Sequence, residues 1–389
     1  MKIGVFGGTF NPPHTGHVQS AETAAQKLGL DLLIVVPAGN PPHKKMPEGT
    51  PAANLRFEMV RMAFMNTHST VVSDIEISGG SSGYTIDSID AFSKDYPGAE
   101  FFLLVGTDMY LTLESWRESE RLLCKATPAV FTRNTGDSLR LTEYSRALNE
   151  EYGADTMIID NEIIDISSSQ LRDMLQTREG LRYIPDTIYA YIIKNRLYSA
   201  KPDWDWLRDR AYSMLASARI PHVAGCEVEA LRLAKRWGVD TDDAREAAIL
   251  HDITKKLTPE ENMEILLKHN ITVEKLEPGE EKLLHSKTGA AIARSEFGVT
   301  EVVADAIMWH TTGRPGMSAL EKIIYLADYI EPTRDFEEVG ELRESAYNDI
   351  DAAMIMGLEI SIEDLLERGK TPNRVTYDAL SDLKHRNRK

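Results

Sequence analysis

Two histidines, His14 and His17, follow an apolar N-terminal segment, a pair of glycines and a Pro-Pro pair. They are three residues apart where a helix is expected to begin, so their imidazoles can converge on one bound group. Glycines after a strand let a phosphate approach backbone N–H groups, and a helix N-terminus adds positive potential. Two convergent donors suit the charge that develops as phosphorus becomes five-coordinate, and an attacking phosphate needs no nucleophilic serine or cysteine. Residues 7–17 therefore predict phosphoryl-group chemistry, although glycine turns with surface histidines are common.

A second group of residues lies in the C-terminal half and has the composition of a metal site. One histidine on an apolar helical face is usually structural, but here six candidate ligands occur in such segments. A buried acid beside a buried imidazole is costly without a cation, which makes the adjacent pair at 251–252 informative. Four imidazoles and two carboxylates can hold two metal ions, and mixed N/O ligation suits iron, manganese, cobalt or zinc. The six candidate metal ligands are His222, His251, Asp252, His285, His310 and Asp328.

These residues belong to two halves of different character. Apolar strands alternate with amphipathic helices in the first half, which predicts a Rossmann-like, doubly wound parallel α/β sheet with ligands at the carboxyl ends of its strands. After Ser199 nearly every apolar segment repeats at helical spacing, which predicts an all-α domain. Pro202 and its polar neighbours mark the boundary, giving domains 1–198 and 203–389. The predicted strands are residues 2–6, 32–37, 70–77, 100–105, 129–133 and 156–160.

Composition narrows the class of ligand. The 389 residues carry a net charge of −17, which disfavours nucleic acid and anionic membranes as partners. No apolar run reaches the roughly 18 residues of a membrane-spanning helix. Only two cysteines occur, so we expect a reducing cytoplasm. The sequence is compatible with a homo-oligomer. The balance favours small-molecule ligands held by local donors and metal ions.

The wording of the first motif, Gly-Gly-Thr-Phe-Asn-Pro-Pro-His-Thr-Gly-His, resembles the His-x-Gly-His signature of the nucleotidylyltransferase superfamily. Within it, residues 1–198 resemble the nicotinate-nucleotide adenylyltransferase family. That resemblance implies transfer of AMP from ATP to nicotinate mononucleotide, giving deamido-NAD and pyrophosphate, with Mg²⁺ bound through the ATP phosphates. The nearest alternative is another small-molecule adenylyltransferase, such as one acting on phosphopantetheine.

The same resemblance implies roles for individual residues. Four of the residues involved also have a purely structural interpretation: Ser168 and Asp108 as helix caps, Lys44 as part of a basic turn, and Trp116 as a core side chain. A helix beginning at Thr85 favours a carboxylate over a neutral amide at its N-terminus. The implied catalytic residues are His14, His17 and Arg172; the implied ATP-binding residues are Gly8, Thr9, Phe10, Lys44 and Ser168; the implied substrate-binding residues are Tyr84, Thr85, Asp108 and Trp116.

The order His, His-Asp, His, His, Asp resembles the binuclear HD-domain phosphohydrolases. Within that group, the sequences at residues 251–255 and 328–334 resemble the YqeK-type family in particular. That resemblance implies symmetric cleavage of dinucleoside polyphosphates such as diadenosine tetraphosphate into two ADP at a di-metal centre, typically of iron. Two metal ions would polarise phosphate oxygens and supply a hydroxide nucleophile. Lys255 and Arg334 are candidate phosphate partners, with solvated surface charges as the alternative.

Two alternatives remain for the second half. A different HD phosphohydrolase would act as a nucleotidase or a cyclic-dinucleotide phosphodiesterase. An HD module could instead bind a nucleotide without cleaving it. The complete set of six candidate ligands favours catalysis, because a pure nucleotide-binding module has no use for it.

Overall fold

A computed structural model describes residues 1–39, 45–79, 83–132, 137–161, 164–272 and 280–386. Lys44 therefore lies outside the described residues. The chain divides into two compact units, Met1–Lys201 and Pro202–Lys389. No described helix has both the length and the apolar character needed to cross a membrane.

The first unit is built on a six-stranded sheet in which every neighbouring pair runs parallel, in the order β3-β2-β1-β4-β5-β6. Central strand β1 places Ile3 opposite Leu32 on one side and Phe101 on the other. The chain order reverses between β1 and β4, where doubly wound sheets bind ligands. The strands are β1 (Lys2–Gly8), β2 (Leu32–Pro37), β3 (Thr70–Val72), β4 (Glu100–Gly106), β5 (Ala126–Phe131) and β6 (Met157–Ile159).

Helices cover both faces of the sheet, so its strands are apolar on both sides. Ile3 and Val5 belong to one buried cluster and Phe6 to the other, as expected for side chains that alternate along a strand. The helices of this unit are α1 (Thr15–Leu28), α2 (Ala53–Phe64), α3 (Thr85–Asp95), α4 (Thr107–Tyr110), α5 (Ser119–Lys125), α6 (Asp137–Tyr152), α7 (Ser168–Gln176) and α8 (Asp186–Lys194).

All the secondary-structure elements described in the second unit are helices. Helix α10 packs on α11 and α15, and α13 packs on α14, so the helices that carry the candidate ligands are neighbours. Its helices are α9 (Trp204–Ser213), α10 (Ile220–Trp237), α11 (Thr241–Leu250), α12 (Pro259–Lys268), α13 (Leu284–Phe297), α14 (Glu301–Trp309), α15 (Ala319–Ile330), α16 (Val339–Asn348), α17 (Ile350–Glu367) and α18 (Arg374–Arg386).

The predicted fold class, a parallel α/β sheet followed by a helical domain, is confirmed. Strand β1 runs on to Gly8, so both glycines of the first motif belong to the strand predicted to end at residue 6. Two other strand boundaries differ by more. The strand predicted at 70–77 ends at Val72, because the N–H groups of Ile77 and Ser78 turn back to the carbonyl of Asp74. The strand predicted at 129–133 begins at Ala126 and so includes a proline at its third position. Proline is uncommon inside parallel sheets because it lacks an N–H group, which explains the late predicted start.

Candidate functional sites

The turn after β1 brings the two histidines of the first motif together. His14 is the residue before α1, and its backbone N–H donates to His17 Nδ1 at 3.2 Å. The two imidazole centroids lie 3.7 Å apart, and the ring of Phe10 packs on His17 with centroids at 5.1 Å. A Cβ at Gly16 would lie 3.1 Å from His14 Nδ1, so a side chain there would push the His14 ring by a few tenths of an ångström. The pair converges at the carboxyl end of a central strand.

The N-terminus of α7 meets the same turn although it lies about 160 residues later in the chain. Arg172 Nη1 donates to the carbonyl of Asn11 at 2.7 Å, and Ser168 Oγ donates to the carbonyl of Pro12 at 2.9 Å. Ser167 caps the helix by accepting from the N–H of Gln170. The structure therefore brings Arg172 and Ser168 to the loop that carries His14. A guanidinium and a helix N-terminus both suit an anion.

Arg56 is a residue of this site that sequence reasoning missed. Its side chain is only 2% exposed, and it donates to the carbonyls of Thr9 and Gly39, each at 2.8 Å. Burial lowers the pKa of this guanidinium. Arg56 thus joins the loop after β1 to the loop after β2 from inside the protein. An arginine on an otherwise apolar helical face was the available signal.

The predicted acceptor-binding residues lie on α3 and after β4. Tyr84 immediately precedes α3, and the guanidinium of Arg117 lies over its ring at 4.6 Å. Trp116 is half-buried, packs against the core and donates from Nε1 to Thr112 Oγ1 at 3.3 Å. Asp108 is exposed in the first turn of α4. Because β4 neighbours β1, the segment carrying Asp108 leaves the same edge of the sheet as the histidine turn.

In the second unit the six candidate ligands come together from five segments. His222 Nε2 lies 3.0 Å from an oxygen of Asp328. Asp252 lies between the imidazoles, with His251 Nε2 at 3.5 Å from Oδ2 and His285 Nε2 at 3.1 Å from Oδ1. The remaining ligand, His310, is 3.6 Å from Oδ1 through its Nε2. All four imidazoles are buried.

Each imidazole directs Nδ1 to an oxygen outside the cluster. The Nδ1 atoms of His251, His285 and His310 bond to backbone carbonyls at 2.5–2.7 Å, and His222 Nδ1 bonds to the Glu331 carboxylate at 3.0 Å. These partners fix the proton on Nδ1 in the neutral ring, so Nε2 presents its lone pair to the cluster. Glu331 is fully buried and was not singled out from the sequence.

The arrangement of lone pairs fits bound cations. The Nε2 atoms of His285 and His310 face each other at 3.2 Å, a contact between two acceptors that a nearby cation relieves, and Lys255 Nζ lies 3.0 Å from His285 Nε2. Among the described residues, the buried atoms His251 Nε2 and Asp252 Oδ1 have no hydrogen-bond partner. Buried polar atoms are rarely left in this state without an ion or water. The cluster is therefore able to hold metal ions.

The protonation states agree with ligand chemistry. Burial would raise the pKa of Asp252, but the imidazoles around it hold that pKa well below its usual value. Burial would also raise the pKa of Asp328, but nearby positive charge, Arg334 included, holds that pKa well below its usual value. Burial lowers the pKa of His310 to about 4. Ionised carboxylates and a neutral imidazole are the forms that bind metals.

Three cationic side chains surround the two aspartates. Arg219 donates to Asp252 Oδ2 from Nε at 2.6 Å, and Arg334 donates to Asp328. Lys255 Nζ lies 3.7 Å from Asp252 and 3.0 Å from His285 Nε2, with its side chain 40% exposed. The predicted residues Lys255 and Arg334 thus lie at the cluster. Sequence reasoning missed Arg219, three residues before His222.

Cys226 is close to the cluster without pointing into it. Its Sγ lies 3.4 Å from His222 Nε2 and 4.0 Å from His222 Nδ1, so it is nearly as close to one ring nitrogen as to the other. Such similar distances place the sulfur over the ring, away from the axis along which Nε2 binds a cation. We therefore do not count Cys226 among the candidate ligands.

Each of the two units matches a known protein family. The cytidylyltransferase-like family matches residues 5–174, and the HD domain family matches residues 219–333. A "Probable nicotinate-nucleotide adenylyltransferase" of Clostridium acetobutylicum is 35% identical over 198 residues, covering 51% of this chain and 98% of the relative. A protein of the same name from Pelobacter propionicus is 33% identical over 217 residues, covering 52% of this chain and all of the relative.

A solved structure resembles part of the chain. It is a "predicted HD superfamily hydrolase involved in NAD metabolism" from Clostridium acetobutylicum, 37% identical, covering 47% of this chain and 97% of that protein with a TM-score of 0.44. The two curated relatives are matched over nearly their whole length at more than 30% identity. The chain therefore belongs to the nicotinate-nucleotide adenylyltransferase family and carries an HD domain in its C-terminal unit.

Proposed function

We propose that the first unit transfers AMP from ATP to nicotinate mononucleotide, giving deamido-NAD and pyrophosphate. The observation that carries this proposal is family membership together with the converging pair His14 and His17. The nicotinate mononucleotide phosphate attacks the α-phosphorus of ATP, the bond to the β-phosphate oxygen breaks, and pyrophosphate leaves. His14 and His17 donate hydrogen bonds to the phosphoryl oxygens on which negative charge develops, and Arg172 binds the phosphates. Mg²⁺ enters with ATP.

The acceptor is bound, on this proposal, at the segment around Tyr84 and Thr85. Backbone N–H groups at the start of α3 receive the nicotinate carboxylate, since a helix N-terminus favours an anion. Trp116 stacks on the pyridine ring, and Asp108 accepts from a ribose hydroxyl. Gly8, Thr9, Phe10, Ser168 and Lys44 bind ATP.

A substrate panel tests this assignment. We expect nicotinate mononucleotide to have a higher kcat/KM than nicotinamide mononucleotide, and phosphopantetheine to give no adenylyl transfer. Equal use of the amide would refute carboxylate recognition at α3. Transfer to phosphopantetheine alone would refute the family's acceptor for this chain.

We further propose that the second unit, residues 203–389, hydrolyses dinucleoside polyphosphates such as diadenosine tetraphosphate to two ADP, independently of residues 1–198. The observation that carries this proposal is the set of four imidazole Nε2 atoms gathered around two aspartates. His222, His251, His285, His310, Asp252 and Asp328 hold two metal ions, for which we expect iron. When bound, the ions supply Lewis-acid polarisation of phosphate oxygens and activation of the attacking water. Lys255 and Arg334 bind phosphate oxygens.

Metal analysis and product chromatography test this second activity. Purified protein should contain close to two metal ions per chain and should convert diadenosine tetraphosphate to ADP alone. ATP and AMP as products would refute symmetric cleavage. Hydrolysis only of a mononucleotide or a cyclic dinucleotide would identify a different HD phosphohydrolase. Binding without turnover of any of these compounds by metal-loaded protein would favour a nucleotide-binding module.

A further inference from the structure

Arg219 contacts the candidate metal centre in a way that differs from the other cations around it. It is the last residue of a short 3₁₀ turn, Ser217–Arg219, immediately before α10. Its side chain is 28% exposed, whereas the Asp252 side chain that it contacts is fully buried. The guanidinium therefore reaches from the solvent side into the centre of the ligand cluster.

The two short contacts of this guanidinium fall on one oxygen, and Nη2 also lies 3.9 Å from Asp328 Oδ1. Nε and Nη2 of Arg219 lie 2.6 Å and 2.5 Å from Asp252 Oδ2. The same oxygen is the one that faces His251 Nε2 at 3.5 Å and His222 Nε2 at 3.9 Å. Nε donates a hydrogen bond to this oxygen, and the Nη2 contact places the rest of the guanidinium charge against the same oxygen. Arg219 and a metal ion shared with these histidines would therefore compete for Oδ2.

With its imidazoles neutral, the cluster has balanced charges in the absence of metal. Three carboxylates, Asp252, Asp328 and Glu331, lie among three cationic groups, Arg219, Lys255 and Arg334. Two divalent ions would add four positive charges to a balanced site. A bridge of four phosphates, each with one negative charge, would restore the balance. The cations nearest the carboxylates are then the groups best placed to change partner.

We propose that Arg219 is the counter-ion of Asp252 in the metal-free protein, that metal binding displaces it, and that the freed guanidinium binds a phosphate of the substrate. This inference rests on the proposed metal centre. Arginine suits both partners, because its planar donors bind carboxylate and phosphate oxygens in the same geometry. Arg219 thereby makes metal binding weaker and phosphate binding stronger than the six ligands alone would.

Calorimetric titration of full-length, metal-stripped protein with Mn²⁺ tests the first half of the proposal. Arg219→Gln should bind Mn²⁺ about tenfold more tightly than wild type, since a charge-assisted competitor is removed. The second half is tested by titrating ADP into the Mn²⁺-loaded protein, where Arg219→Gln should bind about tenfold more weakly. Arg219→Lys keeps the charge without the paired donors, and it should be intermediate in both titrations.

Arg294 provides a matched control, because its side chain is 27% exposed and is paired with Glu301 and Asp305, which are not candidate ligands. Arg294→Gln should change neither affinity by more than twofold. Weaker Mn²⁺ binding in Arg219→Gln would show that Arg219 orients Asp252 for the metal, which overturns the competition. Unchanged Mn²⁺ affinity, or unchanged ADP affinity, would also overturn the proposal. Wild-type protein that binds no Mn²⁺ would refute the metal centre itself, a different and distinguishable failure.

Discussion

Gly225 gives a sharp test of how His222 is held. It lies on α10 three residues after His222, and a Cβ built there would be 2.5 Å from Glu331 Oε2 and 3.4 Å from Glu331 Cβ. Gly225→Ala therefore forces the carboxylate to retreat by about 0.9 Å, from 2.5 Å to an ordinary contact near 3.4 Å. The displaced oxygen, Oε2, accepts from the Thr333 N–H at 2.7 Å, and Oε1 of the same carboxylate is bonded to His222 Nδ1 at 3.0 Å, so movement of the carboxylate disturbs both bonds.

The magnitude follows from two opposed effects. Alanine in a helix interior is favoured over glycine by about 1 kcal/mol, which offsets much of the lost hydrogen bonding to Glu331. We therefore expect the free energy of unfolding of metal-free protein to change by less than about 1 kcal/mol. Metal affinity has no such compensation. Loss of the group that orients a ligating histidine typically costs about 10–100-fold in metal affinity.

The assay is calorimetric titration with Mn²⁺, with Gly340→Ala on α16 as the control. Apart from its chain neighbours and its own helix backbone, no described residue has an atom within 4 Å of a Cβ built at Gly340, so that variant should keep its metal affinity. Gly225→Ala with metal affinity within twofold of wild type would show that Glu331 does not hold His222 for the metal. A Gly225→Ala protein that fails to fold would refute the claim that the disturbance is confined to the site.

Three further predictions concern the first unit. His17→Ala should lower kcat for adenylyl transfer about 10²–10³-fold with far less change in KM, and retention of more than half of kcat would refute its role as a donor. Arg56→Met leaves two buried carbonyls without donors and should cost about 2–4 kcal/mol in the urea unfolding of that unit; a loss below 1 kcal/mol would contradict this. Burial, opposed by the Ser88 hydrogen bond, raises the pKa of Glu76. Above that raised pKa the ionised carboxylate destabilises the folded state, whereas below the pKa of the unfolded chain Glu76 is protonated in both states and does not affect stability. Glu76→Gln should therefore raise Tm at pH 7.5 but leave it unchanged near pH 3.5, and the reverse pattern would contradict the sign.

Local patterns carry most of what the sequence predicts. Apolar runs broken by glycine indicate β1 and α1, and the adjacency of His251 and Asp252 indicates a metal site because two such groups are rarely buried side by side. The end of β3 at Val72 was missed because a turn at Asp74 interrupts an apolar pattern that continues. A proline in β5 concealed the start of that strand at Ala126.

Residues that act through distant partners could not be found in this way. Glu331 is 109 residues from His222, Arg219 is 33 from Asp252, and Arg56 is 47 from Thr9. Each is a charged residue whose neighbours in sequence give no sign of its partner. Only the packed structure shows that these charges contact candidate ligands or backbone carbonyls.

The most direct measurement of the two-enzyme account is product chromatography of wild-type protein and the Asp252→Ala variant, each incubated with ATP, nicotinate mononucleotide and diadenosine tetraphosphate. Wild type should give deamido-NAD, pyrophosphate and ADP. Folded Asp252→Ala should give deamido-NAD at the wild-type rate and no ADP, because its metal centre is lost while the first unit is intact. ADP formation by metal-free Asp252→Ala, or loss of deamido-NAD in that folded variant, would contradict the account.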